Sequence, residues 1–164
     1  MQKDIFVAMT YAIKAFKGKG EIALAIRRLE EARDFATEEL FECCAKFKDL
    51  NIGLGIRIMK NPANGEIGYI RLLRNVPIPT TQGKSQTTQE TYRLQDFHKY
   101  GPLKTFPVGQ RRECFAVVKN LGLQLFAIRM CVAQISELKS LHETYEQEYG
   151  QGTLPSRKES NLIN

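Results

Sequence analysis

The chain of 164 residues has no tryptophan and only two histidines, His98 and His142. Neither histidine has a second ligand at zinc spacing, so the sequence offers no metal site. The four cysteines, Cys43, Cys44, Cys114 and Cys131, form no CxxC pair and sit in apolar helical stretches. That pattern fits buried, reduced thiols better than a disulfide framework. There is no GxSxG nucleophile turn and no GxxxxGK[ST] phosphate loop. Asp4 interrupts the N-terminal region, no cleavage-site pattern follows an apolar run, and no apolar stretch approaches the roughly 20 residues that span a bilayer. The expectation is a soluble cytoplasmic protein, not an enzyme, with no cofactor and no membrane partner.

What is present is a basic centre. Asn51 to Glu113 carries ten lysines and arginines against four acidic residues, a net of +6. Met1 to Leu50 has nine of each sign, and Cys114 to Asn164 has five of each. The whole surplus of the chain therefore lies in its middle third, between two balanced flanks. A pI near 9.2 with the charge so placed points to a polyanion.

The flanks have helical periodicity. Ile5, Met9, Ala12 and Phe16 mark a first helix from about Asp4 to Phe16, which Lys17-Gly18-Lys19-Gly20 breaks. A long second helix starts near Glu21, with Ile22, Ile26, Leu29, Ala36, Leu40, Cys43 or Cys44, Phe47 and Leu50 on its buried face. A long third helix runs from about Gln110 to Tyr149. Its Val118, Leu121, Leu125, Ile128, Val132 and Ile135 recur in the three–four alternation of a coiled-coil seam. Antiparallel packing on the second helix is the plainer use of that seam, and a homodimer is the other.

The centre has strand periodicity. Ile52, Leu54, Ile56 and Ile58 alternate with Gly53, Gly55, Arg57 and Met59, and Asn64-Gly65 supplies a turn that tolerates positive φ. Gly53 to Arg74 is expected to be a β-hairpin, with Ile56 and Ile70 buried and Arg57 and Arg71 exposed. Pro77-Ile78-Pro79 and the polar run to Thr91 are expected to form a mobile loop, followed by a third strand from Thr91 to Tyr100. The fold class is α+β: a three-helix bundle with a small antiparallel sheet inserted between the long helices. One domain is expected over residues 1–150, with a disordered tail over 151–164.

Four groups of residues are candidates for function. Arg57, Tyr69 and Arg71 share the hairpin's wet face, and Lys60 and Arg74 extend it. Arginines pair with phosphates, and an exposed tyrosine stacks on a base. The bland reading is a twisted sheet with one solvated face. Arg111 and Arg112 add basic charge at the start of the last helix. Lys17 and Lys19, in a glycine-containing turn before a helix N-terminus, suit a phosphate, although a solvated helix–helix turn is the plainer reading. Asp96 and His98 would share a strand face as a base and its orienter, or merely be two polar residues on a wet edge.

The order of pieces resembles a family of small, uncharacterised proteins encoded on bacterial integrating conjugative elements. The likeness rests on the Phe16-Lys-Gly-Lys-Gly20 turn, the long helix after it, the Tyr69-Ile-Arg-Leu-Leu-Arg74 strand and the C-terminal helix from Leu121 to Tyr145. Pro77 to Pro107 looks like an insertion. The resemblance implies residence on a mobile element and a regulatory role near an integrase, and it brings no catalytic residues. Composition and resemblance together lead to a non-catalytic nucleic-acid-binding accessory or regulatory protein, with DNA ahead of RNA as partner. The alternative is an interaction or oligomerisation module that uses the long helices and has no nucleic-acid role.

Overall fold

The computed structural model describes residues 19–78 and 86–149. The expected first helix, Lys17 of the glycine turn and the tail lie outside the described residues. The chain is α+β. Helix α1 (Lys19–Asp49) is followed by strands β1 (Gly55–Lys60), β2 (Ile67–Ile78) and β3 (Gln86–Arg93). Two 3-10 turns, Leu94–Lys99 and Gly101–Thr105, then lead to helix α2 (Val108–Tyr149). The strands form one antiparallel sheet in the order β1-β2-β3.

α1 carries Glu21 in its first turn and Lys46 and Lys48 in its last, charges that complement the helix dipole. It begins two residues before the expected Glu21, so Lys19 and Gly20 are helical. It ends where Asn51 takes φ 48°. A left-handed residue after the last turn is a common helix stop, and asparagine tolerates it better than most residues. Gly53, with φ 76°, turns the chain into β1.

Two compact units divide the chain. The larger covers residues 31–131 and holds the sheet. Its core joins Leu40, Cys44 and Phe47 of α1, Ile70 and Leu72 of β2, Phe97, Tyr100 and Leu103 of the 3-10 turns, and Cys114, Leu121, Leu125 and Ile128 of α2. Phe97 is the hub, edge-on to Phe47 and Phe115 and stacked with Tyr100. Lys46, Asp49 and Leu50 flank the same cleft as Gln110, Glu113 and Val117, so the two helices run antiparallel within this unit. The smaller unit comprises residues 19–30 and 132–149 among those described. It buries Ile22, Ala25, Leu29, Ile135 and Leu138 and carries a Lys139–Glu30 ion pair of 3.5 Å.

The seam of α2 is used inside the chain. Val118, Leu121, Leu125, Ile128 and Ile135 are all buried, and Val132 is half-buried. By length and composition alone, Val108–Thr144 of α2 is also apolar enough to cross a membrane, with a mean hydropathy of 1.5 over its best window. That qualifies the expectation that no stretch reaches such a length. Lys119 and Arg129 interrupt the apolar run without lowering its mean below that level.

The sheet departs from expectation at its second half. β2 does not stop at Arg74 but runs through Pro77 to Ile78, pairing with β3 as far as Ile78↔Gln86. Proline is tolerated there because β1 pairs with β2 only up to Gly55↔Leu73. Past that point one side of β2 has no strand partner among the described residues, so no N–H donor is required there. The polar stretch Gln86–Arg93 is therefore a strand, and the expected third strand, Thr91–Tyr100, overlaps it only at its start.

Candidate nucleic-acid interface

The register of the sheet decides which side chains share a face. β1 and β2 pair Arg57 with Arg71, and β2 and β3 pair Arg71 with Arg93. Directly opposed residues lie on the same face, so three arginines stand abreast across three strands, and all three are exposed. Strands lie about 4.8 Å apart, which makes the row about 10 Å long at the backbone. The hairpin fixes half of it. Asn61 N–H donates to Glu66 O at 2.7 Å, Gly65 N–H donates to Asn61 O at 2.8 Å, and Gly65 takes φ 71°. On the other face Ile70 is buried as expected, whereas Ile56, on the edge strand, is only half-buried.

The remaining positions on the arginine face are Gly55, Met59, Tyr69, Leu73, Asn75, Pro77, Thr87, Gln89 and Thr91. None is acidic. Among the described residues, none of the three arginines has a carboxylate within ion-pair distance. Like charges placed directly opposite each other across strands destabilise a sheet, so the alignment of the three arginines is itself a cost to the fold. Tyr69 is 42% exposed, and the Arg71 guanidinium lies over its ring at 5.2 Å from the centroid.

Arg74 does not join this row. Three residues along a strand reverse the face, and Arg74 lies opposite Glu90 on the other side of the sheet. It pairs with Glu90 at 3.6 Å and sits over the Tyr100 ring at 5.7 Å. Tyr92 donates to Glu90 at 2.8 Å and packs edge-on to Tyr100. The hydrogen bond to Glu90 raises the Tyr92 pKa, and burial raises that of Tyr100. Tyr100 donates to Ile52 O at 2.7 Å, so its hydroxyl is satisfied. Arg74 is thus part of the structural side of the sheet.

The other expected residues are scattered. Lys60 is exposed at the end of β1, beyond a register shift that follows Met59. Arg111 is half-buried and Arg112 exposed in the first turn of α2, away from the strands in the chain. Lys19 is the first residue of α1. Asp96 and His98 lie in a 3-10 turn, not on a strand. Asp96 accepts from Lys99 at 2.7 Å, which holds its carboxyl below the usual range, and His98 Nδ1 lies 3.0 Å from Gln95 O. The two are not arranged as a base and its orienter.

Arg93 is the residue that sequence reasoning missed. Its signal was available in the alternation of Thr91, Tyr92 and Arg93, but placing it opposite Arg71 requires the length of the β2–β3 connection. The four cysteines are buried, and desolvation raises the pKa of each. They are thiols at neutral pH and poor nucleophiles. Among the described residues, no group of three or more histidine, cysteine, aspartate or glutamate side chains is placed to hold a metal.

Compared with protein-family models, with curated proteins and with solved structures, the chain matches none.

Proposed function

We propose that this chain is a non-catalytic nucleic-acid-binding protein, an accessory or regulator of a bacterial mobile element, which holds its polyanion on the arginine face of the sheet. One observation carries the reading: Arg57, Arg71 and Arg93 stand in register, and no paired strand position on their face is a carboxylate among the described residues. Mutual repulsion there costs stability, and a phosphate backbone removes it. The mobile-element setting rests on the resemblance in Phe16–Gly20, Tyr69–Arg74 and Leu121–Tyr145. The same reading keeps the protein in the cytoplasm, with DNA ahead of RNA, and has Asp4–Phe16 complete a three-helix bundle.

A salt titration of binding to single- and double-stranded DNA and RNA tests it. Each phosphate neutralised contributes about 0.9 to the log–log slope on duplex DNA and about 0.7 on single strands. Arg57→Ala with Arg71→Ala should weaken binding and flatten the duplex slope by roughly 1.8. Wild-type protein that binds neither DNA nor RNA at low salt sinks the reading. An unchanged slope in the double variant moves the site elsewhere.

The interaction-module reading draws on a different observation. Phe35, Phe41, Val108 and Leu123 are exposed on the helices of the larger unit. Sedimentation at rising concentration tests for a homodimer, and a monomer throughout removes that form of the reading.

A further inference from the structure

The arginine face continues past the third strand's partner. β1 pairs with β2 no further than Leu73, whereas β2 and β3 stay paired to Ile78↔Gln86. From Arg74 onward the sheet is therefore a two-stranded ribbon. Asn75, Pro77, Thr87 and Gln89 are exposed, so the arginine face of this end of the ribbon is open among the described residues, while Val76 on the opposite face is half-buried. A two-stranded ribbon with one open face buries little apolar area, and its presence calls for another use.

We infer that the ligand of this face is duplex DNA, read in the major groove by the β2–β3 ribbon, with Asn75 and Gln89 touching base edges while the arginine row grips the phosphates. The inference rests on the binding function proposed above. Three features favour it. The major groove is about 12 Å wide and admits a two-stranded ribbon; the three-stranded part of the sheet is too broad to enter. Asn75 and Gln89 are directly paired on the arginine face, and Gln89 Nε2 donates to Asn75 Oδ1 at 3.4 Å. This leaves the Asn75 amide to donate and the Gln89 oxygen to accept, the combination that meets adenine N7 and N6. Asn75 is four residues from Arg71 along β2, about 13 Å. That offset sets the arginines over the phosphate ridge when the amides face the groove floor. Single-strand stacking is less well served, because Arg71 already covers one face of the Tyr69 ring.

The test is selection of bound duplexes from a randomised DNA pool with the full chain, followed by binding to the selected and to scrambled duplexes at several salt concentrations. A selected consensus containing adenine is expected. Asn75→Ala and Gln89→Ala should each lower the preference for the consensus roughly 5- to 150-fold and leave the salt slope unchanged. Replacing the consensus adenine with 7-deazaadenine should do the same with unaltered protein, which covers the case of a variant that folds poorly. If the protein binds duplexes without preference, prefers single strands, or ignores 7-deazaadenine, the ribbon inference is overturned and the arginine-face function stands. If it binds no nucleic acid at low salt, both fall.

Discussion

Arg71 and Arg74 are three residues apart on one strand and do different work. Arg74 faces a carboxylate and two tyrosines, each of which has a partner. Arg71 faces two more arginines and has no carboxylate within ion-pair reach among the described residues. One side of the sheet is built as a fold is built, with opposite charges paired and the hydroxyls of Tyr92 and Tyr100 satisfied. The other side breaks that rule in a row of three. Local violations of folding logic gather where a protein meets its ligand, and the contrast between two faces of one strand is what motivates the proposed binding face.

The structural side should break hardest. Leu72 has no exposed surface, so Leu72→Ala should cost about 2–5 kcal/mol by leaving a cavity. Urea unfolding reads this. A loss below about 1 kcal/mol would mean that the sheet contributes little to the core and that its inner face is not anchored.

Tyr100→Phe comes next. It strands Ile52 O without its donor and should cost about 1–3 kcal/mol. The same residue gives a pH signature. Its folded pKa is raised by burial, so the unfolded chain ionises first. Its contribution is whole below the unfolded tyrosine value of about 10 and is lost as pH rises through the folded value. The buried thiols, also raised, act in the same direction from about pH 8.5 upward. Stability should therefore be flat through neutral pH and fall in alkali. Tyr100→Phe should reduce the later part of that fall, leaving the share of Tyr92, and keep the earlier part.

How far the sequence led is clearest at the sheet. Alternation around Asn64-Gly65 set the hairpin, and parity then fixed which face Arg57 and Arg71 take. The α2 seam was equally legible, because a repeat from Val118 to Ile135 leaves one buried stripe. Legibility ended where burial ended. Asn75–Ile78 and Gln86–Gln89 have wet residues on both faces, so no hydrophobic alternation announces a strand, and Pro77 argues for a break unless the open edge is known. Asp96 and His98 failed for a related reason. A 3-10 turn has neither the helical nor the strand period, and Phe97 between them is a hub of the core.

The two arginines themselves should show a double dissociation. Arg74→Ala loses a part-exposed ion pair and a ring contact, about 1 kcal/mol together, and should leave the salt slope of DNA binding unchanged. Arg71→Ala loses its contact with Tyr69 but relieves two repulsions, so stability should stay within about 0.5 kcal/mol while the slope drops by about 0.9. Equal slopes for the two variants would dissolve the distinction between the faces.

The smallest effect is the most pointed. Arg93→Glu sets a carboxylate directly opposite Arg71. An opposite-charge cross-strand pair stabilises a sheet by roughly 0.2–1 kcal/mol, and a like-charge pair destabilises it, so this variant should unfold at slightly higher urea than wild type. Its affinity for DNA should fall, with two charges of difference on the face and a slope reduced by at least about 0.9. A gain in stability together with a loss of binding is what a row kept for a ligand predicts. If Arg93→Glu instead lowers stability, the arginine serves the fold through its own surroundings, Asp96 among them, and the row shortens to the pair of Arg57 and Arg71.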